Sequence, residues 1–371
     1  MTTLKVGLIG CGRIAQQAHL PNLVRLPGIE LVAYAEPEAE RRAQAARLAP
    51  RALAFQSYEE LLNRAKVHAV VVCLPNAFHA EATIAALERG LHVYLEKPLA
   101  TSSTEALRVI EAWRRAGVVG MMGFNYRFNK LYESMRARLN SGALGEPATA
   151  RTVFSTAAKN LPEWKLDRRT GGGVLFDLAS HHLDLVRYFF EQEVSEVYAE
   201  IQSRRSACDS AMLQMRLTGG ASVQSFFSTS GVEEDSFEIY GERGKLSVNR
   251  YLSLDVRHSR PTLEGVRLGQ LHHALRSLVR APYLLKKMGA AVQEPSYLTA
   301  LERFVAAVRA GASPKPDFYD GYYNLQIIEA AERSAATGCK ARVKDASLSR
   351  LHESSEPERD LKGVSLEGEW I

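Results

Sequence analysis

Five short apolar runs, KVGLIG, ELVAYA, HAVVVCL, HVYLE and VVGMMGF, punctuate the first third of the chain, with helical patterns such as AFHAEATIAALERG and TSSTEALRVIEAWRRAG between them. Strand, helix, strand in that rhythm leaves few options: crossovers are right-handed, the strands lie parallel, and helices cover both faces. The expectation is a doubly wound parallel sheet of the α/β class. Beyond about residue 122 the rhythm breaks. A helical stretch, LYESMRARLNSG, leads through EPATARTVFST to a glycine-rich entry and the helix VLFDLASHHLDLVRYFF. Alternating segments follow, EVYAEIQS, AMLQMRLTGG, ASVQSFFSTSG, SFEIYGERG and KLSVNRYLSLDV, with hairpin turns at Gly219-Gly220 and Gly241 to Gly244. This half reads as an α+β domain with a large, mainly antiparallel open sheet, one face covered by helices. Two terminal helices, around YLTALERFVAAVRAG and YYNLQIIEAAERSAATG, flank the connector SPKPDFYDG. At 371 residues and 46% hydrophobic content the chain is long enough for two cores.

The first run is followed by GCGRIA, where Gly10, Gly12 and Ala15 occupy the pattern G-x-G-x-x-G/A. The first glycine makes a tight turn, the second lets a pyrophosphate approach the backbone, and the third position stays small for close helix packing. Free N–H groups at the helix start, around Arg13 and Ile14, would receive the phosphates. About 20 residues further on, Glu36 ends the run LVAYAE, where a carboxylate binds both ribose hydroxyls and repels a 2′-phosphate. The reading is a Rossmann domain over residues 1–122 that takes NAD in preference to NADP. An α+β domain for substrate binding and oligomerisation follows over 123–345, then a polar C-terminal tail over 346–371.

A second cluster sits in GGGVLFDLASHHLDLVRYF. On a regular helix Asp177, His181 and Asp184 fall at i, i+4 and i+7, one stripe of carboxylate, imidazole and carboxylate. Two acids on its own face would fix the tautomer of His181 and raise its basicity, as acid/base chemistry requires. His182 shares a mostly apolar stripe with Leu178, Leu185 and Phe189 and is expected in a core or interface. Gly171 to Gly173 would allow a ligand close to the helix start, although a flexible loop has the same composition.

Other classes are disfavoured. Lys+Arg 47 against Asp+Glu 42 gives a net charge of +5, short of the clustered charge that nucleic-acid binding needs. The four cysteines, Cys11, Cys73, Cys208 and Cys339, form no Cys-x-x-Cys pair. That pattern indicates neither a disulfide framework nor a thiolate metal site, and fits a reducing, cytoplasmic compartment. The N-terminal apolar run is too short for a secretion signal, and no segment approaches the roughly 20 apolar residues that span a bilayer.

In order and spacing, GCGRIA, LPNAFHAEATIAALERGLHVYLEKPLA, GFNYRF and GGGVLFDLASHHLD resemble the Gfo/Idh/MocA oxidoreductase family. The resemblance implies reversible hydride transfer between NAD(P) and a hydroxyl or keto carbon of a sugar, cyclitol or sugar nucleotide. It implies catalytic roles for Lys97, Asp177 and His181. It places Leu74, Asn76, His79, Glu96 and Lys97 near the cofactor together with the GCGRIA residues and Glu36, and Asn125, Arg127 and Trp164 near the substrate with the catalytic three. His79 equally caps or packs its helix, Trp164 covers a sugar ring or packs within its loop, and Glu96 reads as structural support. Strands of an open α/β sheet end at the ligand crevice, which delivers Lys97 to the cofactor, and a cis Lys97–Pro98 bond would aim it. Either His181 takes the hydroxyl proton while Lys97 polarises the oxygen, or Lys97 with a lowered pKa is the base. Ala179 stands where the family often has glycine and is expected to crowd the pocket side, and Glu36 stands where aspartate is commoner. A homodimer or homotetramer through the open sheet is implied. Two alternatives remain: a glycosidase that recycles its NAD internally, and a dinucleotide sensor without turnover.

Between Arg250 and Lys287 eight Lys/Arg face two acids. This stretch could meet an anionic substrate such as a sugar nucleotide, touch a membrane surface, or be a solvated helix face near a subunit contact.

Overall fold

The computed structural model describes residues 3–158, 162–262 and 294–344. Six parallel strands form the first sheet: β1 (Leu4–Ile9), β2 (Ile29–Ala35), β3 (Leu53–Phe55), β4 (Ala69–Val72), β5 (His92–Leu95) and β6 (Gly120–Met122). Their order is β3-β2-β1-β4-β5-β6. The order reverses between β1 and β4, and the loops after those two strands open the crevice in which such sheets bind ligands. β3 was not expected. It is a three-residue edge strand whose Leu53 is exposed, so it lacks the buried apolar run that marks its neighbours. The central strands are covered on both faces, and Val70, Val71 and Val72 are fully buried. Helix Ser103–Ala116 shows how sequence sets the crossovers: Ser102 caps its start by accepting the Glu105 N–H, and Gly117 ends it with φ 62°.

The second sheet has eight strands: β7 (Pro147–Ser155), β8 (Val194–Gln202), β9 (Ser210–Leu217), β10 (Ser222–Ser228), β11 (Glu234–Gly241), β12 (Gly244–Asn249), β13 (Arg257–Ser259) and β14 (Ala341–Arg342). The order is β13-β12-β11-β7-β10-β9-β8-β14; only the β7–β10 pair is parallel. Side chains alternate with period two. In β9, Ala211, Leu213, Met215 and Leu217 are buried, while Met212 faces outward. Helices Ser180–Phe190 and Phe318–Thr337 cover the inner face. The latter starts four residues before the YYNLQ pattern suggested, because Asp317 and Asp320 form a capping box across its first turn.

Helix Ser296–Ala310 does not join the second sheet. Its Ala300, Leu301 and Phe304 pack into the core of the first sheet with Leu8, Val71 and Tyr94. Full burial of such a leucine or phenylalanine is worth about 1.5–3 kcal/mol. Among the described residues, no helix is long and apolar enough to cross a membrane. The basic stretch lies mainly outside the described residues. Of its charges within them, Arg250 is paired with Asp235 and Glu294.

Candidate active site

The glycine loop after β1 takes the form its sequence implies. Gly10 has φ 89°, and a Cβ there would stand 2.6 Å from the Cys73 carbonyl oxygen, so only glycine fits. Around the Cβ position of Gly12 nothing lies within 4 Å, which leaves the loop open on that side. Ala15 is fully buried against the sheet, Arg13 is exposed and Ile14 half-buried. The Leu74 side chain borders Gly10. Glu36 reaches back from the end of β2: its Oε2 accepts the Cys11 N–H at 2.8 Å and its Oε1 the Glu38 N–H at 3.1 Å. Burial and that carboxylate push the Cys11 thiol up to about 12, leaving it inert. An open glycine loop, a helix start and a fixed carboxylate fit a dinucleotide carrying an unphosphorylated ribose.

Lys97 follows β5, and the Lys97–Pro98 peptide is cis. His79 closes this turn, with Nδ1 2.6 Å from the Pro98 oxygen and Nε2 2.8 Å from the Leu74 oxygen. Burial lowers its pKa, while the two carbonyls favour the charged ring. Its place is thus between the loops after β4 and β5. Glu96 turns the other way, into a buried contact with His19 Nε2 at 2.7 Å. Asn76 donates to the Gly171 carbonyl at 2.8 Å and so ties the first domain to the glycines before the second-domain helix.

Those glycines make room for protein rather than for a ligand. A Cβ on Gly171 would meet the Asn76 side chain, on Gly172 the Lys165 and Asp167 carbonyls, and on Gly173 the Cys208 side chain. The following helix opens with a π-helical turn, Leu175–Ala179, before regular Ser180–Phe190. The wider turn breaks the expected stripe, and such turns free main-chain carbonyls. Lys97 Nζ donates to the Asp177 oxygen at 2.7 Å and to the Phe176 oxygen at 3.3 Å, and stands 3.8 Å from Asp177 Oδ1. Lys165 Nζ makes the direct ion pair with that same carboxylate oxygen. Asp184 instead receives Arg127 in a two-pronged pair at 2.6 and 2.8 Å. Ala179 is fully buried in the core and does not crowd the cleft.

The electrostatics follow from these contacts. Burial lowers Lys97 to about 8, with Lys165 adding to the shift and Asp177 opposing it. For Asp177, burial acts upward but the two ammonium groups outweigh it and bring the carboxyl to about 2. His181 is held neutral, well below its ordinary value, by burial and by the charges of Lys97 and Arg250. Its ring stacks on Tyr126 at 4.2 Å, and its Nδ1 has no hydrogen-bond partner among the described residues. Behind Tyr126 lies Asp235, which accepts from Tyr126, Tyr132 and Arg250 and contacts the fully buried His182 at 3.1 Å.

The structure therefore brings Lys97, Asp177 and His181 to one place. Other candidates sit elsewhere. The Arg127 guanidinium is buried between Asp184 and Asp320, and Asn125 donates to Ser296. Half-buried Trp164 lies beneath Lys165, whose ammonium is 5.5 Å from the ring centre. Sequence reasoning missed Lys165, Tyr126 and Asp235. For Lys165 the one available signal was a cation beside a tryptophan just ahead of the glycines.

A parallel nucleotide-binding sheet whose strand-end lysine stands beside an acid and an imidazole carried by a helix that packs on a mainly antiparallel open sheet defines a dinucleotide-dependent oxidoreductase. The chain belongs to the Gfo/Idh/MocA family: residues 4–124 match its oxidoreductase, NAD-binding Rossmann-fold profile, and residues 132–247 its C-terminal-domain profile. Among curated proteins, the chain is 29% identical to 1,5-anhydro-D-fructose reductase of Ensifer adhaerens, covering 91% of this chain and 98% of that one. It is 26% identical to myo-inositol 2-dehydrogenase of Thermotoga maritima, over 89% and 96% of the two chains. Among solved structures, the fold is shared with the WlbA dehydrogenase from Bordetella pertussis in complex with NADH and UDP-GlcNAcA. That match has a TM-score of 0.77 and 22% identity, and covers 92% and 98% of the two chains. The protein is an NAD-binding oxidoreductase.

Proposed function

We propose that the chain oxidises, and in reverse reduces, one CH–OH carbon of a cyclic polyol: a sugar, a cyclitol or a sugar nucleotide. The named relatives are reductases and dehydrogenases of such compounds, which favours this reading over the glycosidase and the sensor. The observation that carries it is Lys97 at the end of β5, held by the Asp177 and Phe176 carbonyls and 3.8 Å from the Asp177 carboxylate, with the buried His181 ring near enough to feel both charges. NAD supplies the hydride acceptor when bound. Gly10, Gly12, the helix start at Arg13 and Glu36 would hold it, with Leu74 beside the glycines.

The protein's part is proton handling. Two main-chain carbonyls engage Lys97, so the neutral amine keeps its lone pair for a substrate hydroxyl and the ammonium keeps one N–H for the product oxygen. A pKa of about 8 suits that exchange near neutral pH. His181 is a poorer base, because a proton on it would be buried beside two cations, and it serves as a hydrogen-bond partner of the reacting oxygen. This reverses the first of the two assignments weighed from sequence. Asp177 balances the charge.

The test is nicotinamide absorbance after mixing protein and NAD with cyclitols, free sugars, glycosides and sugar nucleotides. Reduction with one class fixes the substrate. Cleavage of a glycoside with no net reduction would restore the recycling glycosidase. Cofactor choice is checked by Glu36→Ala. Loss of a carboxylate that bonds a ribose should lower NADH affinity by about 10- to 100-fold, read by fluorescence, and narrow its margin over NADPH. On the outer sheet face Met212 pairs across strands with Phe226, and both are exposed, which supports a homodimer or homotetramer built on that face. Light scattering would report it. The cysteines among the described residues are all free, in keeping with a cytoplasmic site.

A further inference from the structure

We propose that Lys165 is a positioning residue for the reaction, holding the Asp177 carboxylate away from Lys97 so that the Lys97 amine stays free to exchange a proton. The idea rests on the reading of Lys97 as the proton-transferring group. One oxygen, Asp177 Oδ1, faces both ammonium groups: Lys165 is in direct contact, while Lys97 stands off at 3.8 Å. Lys97 is tied instead to the Asp177 and Phe176 carbonyls, which the π-helical turn presents. Carbonyl dipoles hold an amine in place without committing it to the charged form as a contact ion pair would.

Lys165 is itself fixed. Its carbonyl accepts the Gly173 N–H at 3.0 Å, and its ammonium lies over Trp164. A Cβ on Gly172 would come within 2.4 Å of that carbonyl, so Lys165 and the glycines pack as one unit. The charged and titratable groups around Lys97 are Asp177, Lys165, Glu96, His181 and, behind Pro98, His79. Among them Lys165 acts twice in one direction: as a like charge, and by occupying the acid that would otherwise pair with Lys97. Both favour the neutral amine.

Competitive labelling of Lys97 with a trace acylating reagent, read by mass spectrometry across pH on the full-length protein, tests this without any substrate. The native midpoint is expected near 8. Lys165→Met should raise it by about one unit, Lys165→Gln should do the same, and Lys165→Arg, which keeps the charge, should return it toward the native value. A midpoint unmoved in both neutral variants overturns the proposal. The reading of Lys97 as proton-transfer group fails separately. A native pH–rate profile with no limb near 8 removes that reading even where the labelling shift is seen.

Discussion

Lys97→Met should bind NADH and melt close to the native temperature, yet turn over substrate about 10²–10⁴-fold more slowly, the range that loss of a positioned acid/base group produces. The fold should tolerate the change because the methionine stem fills the same space between the turn after β5 and the π-helical turn, only two hydrogen bonds to carbonyls are lost, and the Asp177 carboxylate keeps its direct ion pair with Lys165. The loss belongs in kcat/KM, since the amine acts on the reacting oxygen. The pH profile adds a sign. In the native protein, where burial holds the group near 8, oxidation should rise as pH increases toward 8 and then level, because the neutral amine accepts the proton. Reduction should fall over the same interval, because the ammonium donates it. A profile flat through this region, with its limb well below 6.5, would move the base to His181.

The largest effect on stability is expected at Asp235. This fully buried carboxylate is shared by Tyr126, Tyr132, His182 and Arg250, with the Arg250 nitrogen at 2.7 Å. Asp235→Ala leaves a mostly buried guanidinium and several hydroxyl and imidazole groups without their acceptor, which should cost about 3–5 kcal/mol, read by denaturant unfolding. Burial acts to raise the Asp235 carboxyl, but Arg250 and His182 outweigh it and bring it far below the ordinary value. A depressed folded-state pKa gives stability that is complete above the unfolded-state value of about 4 and eroded as pH falls below it. The variant should therefore show a shallower loss of stability on acidification than the native chain. Equal slopes for the two would assign acid unfolding to other carboxylates.

The features legible in the sequence are those whose chemistry is local. Gly10 and Gly12 announce a turn, a run of valines announces a doubly covered strand, and a lysine closing HVYLE marks a strand end at the crevice. Asp177 and His181 were placed on one helix, but their mutual geometry was not, because a π-helical turn has the composition of an ordinary one. Lys165 and Asp177 form an ion pair only after the glycine loop folds back, which no pattern of residues near either one encodes. Arg127 looked like a ligand-binding cation beside NYRF. Its carboxylate partners Asp184 and Asp320 lie far along the chain and meet it only in the packed structure. β3 and β14 escaped because two or three residues hold no periodicity.

The packing of helix Ser296–Ala310 on the first sheet bears on how the chain is made. A ribosome delivers β1 early, but Leu301 and Phe304, which cover part of that strand's neighbourhood, emerge only when most of the chain has left the tunnel. Until then one face of the nascent Rossmann sheet is incomplete and exposed to chaperones or to a neighbouring nascent chain. The same arrangement sets a rule for domain grafting. A cofactor domain cut after β6 and transplanted onto another partner leaves behind a helix from its own core, so an exchange intended to change nucleotide preference has to carry Ser296–Ala310 with it.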